Sequence, residues 1–65
     1  MNIAEACNVV AEIARNENVQ VLELLVEYRN DCDEYGQNPY YNQEQNRAFR
    51  VFINQAQQFF APAEV

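Results

Sequence analysis

The chain has no histidine, serine, threonine, lysine or tryptophan. Each absence removes a class of chemistry. Without serine, threonine and histidine there is neither the usual hydroxyl nucleophile nor the usual general base. Without lysine there is no Schiff-base amine and no phosphate-loop lysine. The missing hydroxyl residues also rule out an N-x-Ser/Thr sequon and a Ser/Thr phosphosite.

Glycine occurs once and proline twice, and Gly36 with Pro39 falls where a helix end belongs. The two cysteines, Cys7 and Cys32, are too few to coordinate a structural zinc within one chain. With no histidine nearby to activate it, either thiol reads as a small hydrophobe in an apolar face. No stretch reaches the roughly 18 apolar residues that a membrane span requires. The first ten residues lack the basic start and apolar run of a secretory signal. A cytoplasmic, reducing location with free thiols is the expectation.

What remains is a short acidic chain. It has 65 residues, a formal charge of −6 and a hydrophobic fraction of 49%. That fraction suits a folding chain, and the length suits a single domain, residues 1–65, near the lower limit for an independent core. All four cations are arginines: Arg15, Arg29, Arg47 and Arg50. A net negative chain repels phosphates, so direct binding to nucleic acid or to anionic lipid is not expected.

Hydrophobic periodicity predicts three helices, about 3–15, 19–35 and 43–60, in a small antiparallel three-helix bundle of the all-α class. Asn2 with Glu5, and Asn42 with Gln45, have the spacing of capping boxes. In the first helix Ile3, Ala6, Cys7, Val10, Ile13 and Ala14 share one face. In the third, Ala48, Phe49, Phe52, Ile53, Ala56, Phe59 and Phe60 do so, with Arg47, Arg50, Asn54, Gln57 and Gln58 opposite and Val51 among the polar set. Pro62 is expected to stop that helix and Ala63–Val65 to fray. Folding the first two helices as a hairpin offsets Cys7 from Cys32 by about 7 Å along the axis, so no disulfide is predicted. The stretch Asn42–Phe49, NQEQNRAF, resembles the helix start of the staphylococcal immunoglobulin-binding three-helix domains over those eight residues; the other two helices do not follow that family, and no function is carried over.

The middle segment, Val19–Tyr35, organises the rest. Val21, Leu24, Leu25, Tyr28, Cys32 and Tyr35 fall on one side at about 100° per residue. Glu23, Glu27, Asp31 and Glu34 fall within about 80° of each other on the far side, with Asp33 beside them. Val19, Leu22 and Val26 widen the apolar stripe, which predicts that this helix is the middle of the three or the face of a dimer. Tyr40 and Tyr41, in the loop around Asn38-Pro39, are expected to close one end of the core.

Three constellations bear on chemistry. Asp31–Gly36 opens like a calcium-binding EF-hand loop, but the fifth position is Tyr35 and the twelfth is Asn42, so two oxygen ligands fail and no metal is expected. Glu23/Glu27 and Glu27/Asp31 stand about 6 Å apart along the axis, near the spacing of a retaining glycosidase pair. A bundle of this size has no room for the pocket that such a pair needs, so no catalytic residue and no cofactor is expected. The carboxylate row itself is Glu23, Glu27, Asp31 and Glu34, with Asp33 beside it, and none of the four has an arginine three or four residues away on its own side. Like charges at i,i+4 destabilise a helix by a few tenths of a kcal/mol each, and a solvated face usually mixes signs.

The expected function is therefore a small, non-enzymatic, acidic protein-binding module that acts by occupancy. It would be a stoichiometric inhibitor or adaptor covering a basic, possibly nucleic-acid-binding, surface of a macromolecular partner. Host-takeover and anti-defence proteins of phages supply the analogy in size and charge. The alternative function is a self-associating structural or assembly subunit with no inhibitory role, to which the aromatic-rich third helix and the marginal core point. The alternative fold is a helical hairpin whose third helix is exchanged in a homodimer.

Overall fold

The computed structural model describes residues 1–60, with side-chain surroundings through residue 55. Three helices follow one another: α1, Ile3–Glu17; α2, Val21–Asn30; and α3, Gln43–Phe60. They form a three-helix bundle in which α1 packs along α3 and, less extensively, against α2. The predicted positions Ala56, Phe59, Phe60, Gln57 and Gln58 (as side chains), Pro62 and the tail Ala63–Val65 lie outside the described residues.

The helix starts follow from side-chain chemistry. Asn2 Oδ1 accepts the Glu5 N–H at 2.8 Å, and Glu5 Oε1 accepts the Asn2 N–H at 3.0 Å. Asn42 and Gln45 repeat the exchange at 2.7 and 3.0 Å at the start of α3. Both predicted capping boxes are present, and each satisfies donors that the first turn leaves without helical partners.

Helix α1 ends in the left-handed region, with Asn18 at φ 59°. The Val19 N–H reaches back to the Ala14 carbonyl at 3.0 Å, and Val19 packs against the core. This is the Schellman arrangement with its apolar contact.

The second helix differs from expectation at both ends. It spans Val21–Asn30 rather than 19–35. The Asn18 termination places Gln20 as N-cap, in extended conformation and without a side-chain cap bond. At the other end, Asp33 competes for the backbone. Its Oδ1 accepts the N–H groups of Tyr35 at 2.8 Å and Gln37 at 3.0 Å, while its own N–H donates to the Gln37 carbonyl at 2.8 Å. Asn30, Asp31 and Asp33 are residues whose side chains favour such local bonds over helix continuation. Gly36, at φ 80°, closes the turn that Asp33 opens.

The core consists of Ala6, Val10, Ile13 and Ala14 from α1, Leu24 and Tyr28 from α2, and Ala48 and Phe49 from α3. Small residues on α1 let α3 approach closely. Tyr28 stacks on Phe49, with ring centroids 4.0 Å apart and planes inclined by 16°. Two assignments to the apolar faces and one to a polar face are corrected. Ile3 is 40% exposed in the first turn, where little packs over it. Tyr35 is 79% exposed because α2 stops before reaching it. Val51, placed with the polar set, is half-buried and packs against the core. The central helix is α1, not α2, so the second apolar side of α2 has no helix over it. Leu22 is 68% and Val26 54% exposed.

Candidate functional site: an acidic end of the bundle

The helix boundary divides the predicted carboxylate row. Glu23 and Glu27 are exposed on α2, and Asp31 is the C-cap residue of that helix. Asp33 and Glu34 lie beyond it, in the loop. One Asp33 carboxylate oxygen holds the loop together through Tyr35 and Gln37. Glu34 is exposed in the turn and no longer continues the helical line.

A different acid joins the remainder. Glu17, in the last turn of α1, lines a shallow cleft together with Glu27 and Asp31. Tyr28, Asn38, Tyr40 and Tyr41 complete the lining, and the volume is about 280 Å³. That is the size of a side chain or small fragment, at the bottom of the range of ligand pockets. All three carboxylates stand near the C-terminal ends of helices, where the backbone already contributes partial negative charge. Arg15 and Arg29 occupy the same last turns, but among the described residues no arginine lies within 4.0 Å of a carboxylate oxygen.

Tyr41 reports the resulting field. Its hydroxyl donates to Glu17 Oε2 at 2.8 Å, and its ring packs edge-tilted on Phe49 at 5.1 Å. The phenol pKa is pushed up to about 12. Burial is the largest cause, followed by the hydrogen bond to Glu17 and then the charges of Glu17, Glu27 and Asp31. Each carboxylate makes a second negative charge at the phenol less favourable.

The floor of the cleft is rigid because a buried amide network holds it. Asn46 Oδ1 accepts the Tyr28 hydroxyl at 2.6 Å and the Asn38 N–H at 2.8 Å. Asn46 Nδ2 donates to the carbonyls of Asn38, Tyr41 and Asn42 at 3.0–3.1 Å. Asn38 Nδ2 donates to the Tyr28 carbonyl at 3.1 Å, and Asn38 Oδ1 accepts the Tyr40 N–H at 2.9 Å. Both asparagines are almost inaccessible to water. They fix the Asn38–Tyr41 loop, and with it the two tyrosines, against α2 and α3.

Elsewhere the chemistry is sparse. A wider depression of about 640 Å³ lies between α1 and α3, with Glu5 and Glu44 beside Arg47. Its signs are mixed, and Glu5 is engaged in the α1 capping box. Cys7 and Cys32 are half-buried free thiols. Among the described residues no three acidic or thiol side chains converge closely enough to hold a metal ion, and no helix is long and apolar enough to cross a membrane.

The sequence reading missed Glu17, Tyr41 and the two asparagines as parts of one site. Glu17 carried a signal, since a carboxylate in the last turn of a helix opposes the helix dipole. Asn46 carried another, standing three residues before Phe49 on the apolar face of α3.

No family model, no curated protein and no solved structure matches the chain.

Proposed function

We propose that the protein is a small acidic binding module without enzymatic activity, which acts by covering a basic surface of a macromolecular partner. Such a surface is the kind that otherwise contacts nucleic acid, and the mode of action is that of a stoichiometric inhibitor or adaptor, as among host-takeover proteins of phages. It works in the reducing cytoplasm, where Cys7 and Cys32 remain thiols. The observation that supports this reading is the convergence of Glu17, Glu27 and Asp31 around Tyr41 with no arginine paired to any of them. Glu23 extends the same charge along α2. Unpaired carboxylates on a rigid surface cost little when solvated and gain when a cationic partner arrives, so their contribution is to encounter rate and specificity.

The test is affinity capture from the native host at low and high salt, read by mass spectrometry. The wild-type protein is expected to retain a basic protein at low salt and lose it as salt screens the charges. Glu27→Lys with Asp31→Lys should abolish capture while circular dichroism stays helical. Glu12→Lys with Glu44→Lys, which changes net charge equally on exposed sites elsewhere, should leave capture largely intact. Equal capture by all three proteins removes the proposal.

A second reading, self-association, draws on the exposed pair Leu22 and Val26. A charge of −6 on each copy opposes it. A strict monomer in sedimentation equilibrium at high micromolar concentration disposes of it.

A further inference from the structure

The outer face of α2 combines exposed apolar surface with one-signed charge. At about 100° per residue, Leu22 and Val26 lie about 160° and 200° round the helix from the buried Leu24. They point directly away from the core, one turn apart, and are 68% and 54% exposed. Along one edge of this pair run Asn30, Glu23 and Glu27, at about 240°, 260° and 300°. Leu25 and Arg29 border the other edge. Burying an exposed leucine or valine gains about 25 cal/mol per Å², and here nothing of the described chain covers either residue.

We propose that this face docks a basic amphipathic helix of a partner protein, which seats its apolar ridge on Leu22 and Val26 and its Lys or Arg side chains on Glu23 and Glu27. The inference rests on the acidic-module reading and specifies what that module binds. Charge complementarity selects this occupant. Two copies of α2 packed antiparallel would set matching edges against each other, with Glu23 and Glu27 facing their own counterparts. Two copies packed parallel would offer one cation, Arg29, against two carboxylates. Both arrangements also bring together chains of charge −6. A membrane surface is disfavoured by the same charge and by the narrowness of a two-residue apolar strip. A helix suits the shape because α2, at ten residues, is about 15 Å long. Side chains one turn apart on it form a ridge that packs into the groove of a crossing helix.

The experiment titrates isotope-labelled protein with a synthetic helical peptide whose leucines recur every three to four positions between lysines. A scrambled peptide of the same composition, without that periodicity, runs in parallel. The helical peptide is expected to bind about tenfold more tightly than the scrambled one, equivalent to about 1.4 kcal/mol. Its amide shift changes should centre on Leu22, Glu23, Val26 and Glu27. Leu22→Gln with Val26→Gln, both at exposed positions, should remove that preference while the circular dichroism spectrum is kept. Glu23→Gln with Glu27→Gln should weaken both peptides and flatten the salt dependence.

Equal binding of the two peptides overturns the docking inference and leaves the acidic module standing, as do shifts confined to the cleft around Tyr41. Binding of neither peptide, together with failed capture by the wild-type protein, removes both. Concentration-dependent dimerisation abolished by the Leu22/Val26 variant assigns the face to a second copy and overturns the inference.

Discussion

Tyr28 and Asn46 meet across the core, the phenol hydroxyl donating to Asn46 Oδ1 at 2.6 Å where both residues are about 5% exposed. Asn46 then satisfies four more backbone groups, one N–H and three carbonyls. Removing it takes the acceptor from the buried Tyr28 hydroxyl and Asn38 N–H, while the Asn38 and Asn42 carbonyls keep the N–H groups of Tyr41 and Asn46. Each buried polar group left without a partner costs about 1–3 kcal/mol. Asn46→Ala is therefore expected to lose about 3 kcal/mol or more, a large part of the stability of a domain this size. Tyr28→Phe should lose only about 1 kcal/mol, because the stack on Phe49 survives and Asn46 Oδ1 keeps the Asn38 N–H. Urea denaturation followed by circular dichroism separates the two. Equal losses would mean that the network does not hinge on Asn46.

Among the described residues two positions use the left-handed backbone, and replacement by alanine costs stability at both. Asn18 has φ 59° and Gly36 has φ 80°. A residue with Cβ other than Asn or Asp pays about 1–2 kcal/mol there. Asn18→Ala and Gly36→Ala should each lower stability by about 1 kcal/mol, although nothing lies within 4 Å of a Cβ built on Gly36. Asn18→Gly should be neutral or gain a few tenths of a kcal/mol. Thermal melts of the three variants check this, and a stable Gly36→Ala would show that the loop relaxes without strain.

The two capping boxes are chemically alike but unequal in consequence. Asn42→Ala and Asn2→Ala each remove a side-chain cap worth about 1 kcal/mol. The first turn of α3 also positions Asn46, whose Nδ2 donates to the Asn42 carbonyl at 3.0 Å. The first turn of α1 carries only exposed residues up to Glu5. Asn42→Ala should thus shift the global unfolding midpoint, whereas Asn2→Ala should mainly speed hydrogen exchange in its own turn. Asn42→Asp should retain most of the cap. Identical global shifts for the two alanine variants would contradict this ranking.

The parts of this fold that were legible in sequence are those fixed by local chemistry. Asn2 with Glu5 and Asn42 with Gln45 set helix starts through bonds spanning three residues, and spacing alone reveals them. The core positions Ala6, Val10, Leu24, Tyr28 and Phe49 follow from helical periodicity. The end of α2 was not legible, because it depends on Asp33 capturing two N–H groups across a turn, against an apolar pattern that continues to Tyr35. Nor was the order of packing. The breadth of the apolar stripe on α2 suggested a central helix, yet the small residues of α1 make it the better partner for α3. The exposed Leu22 and Val26 are what remains of that competition. The cleft was half legible: Glu27 and Asp31 were read from their spacing, while Glu17 and Tyr41 reach it only through tertiary contact.

Alkaline titration tests both the core and the field of the cleft. Tyr28 and Tyr41 ionise at about 12 in the folded protein, against an ordinary value of 10.0. For Tyr28 burial is again the main cause, with Cys32 adding to it and Arg50 opposing. The fold favours the protonated phenol, so its contribution is complete below about pH 10, where both states hold the proton. Between about 10 and 12 the unfolded chain releases protons that the folded one keeps, and stability falls as pH rises; above about 12 the contribution is gone. The urea midpoint should drop steeply across that window. Phenolate absorbance should show Tyr28 and Tyr41 ionising late, and the Tyr41 contribution should disappear in Tyr41→Phe. Glu17→Gln removes the nearest charge and leaves only a neutral amide oxygen to accept from the phenol, so it should lower the Tyr41 pKa toward 10 and leave Tyr28 in place. Glu27→Gln with Asp31→Asn should lower it by less, following the order of the causes at Tyr41. A Tyr41 titration unmoved by any of these changes would mean that the three carboxylates do not act together on the cleft, and the electrostatic basis of the proposed binding site would be lost.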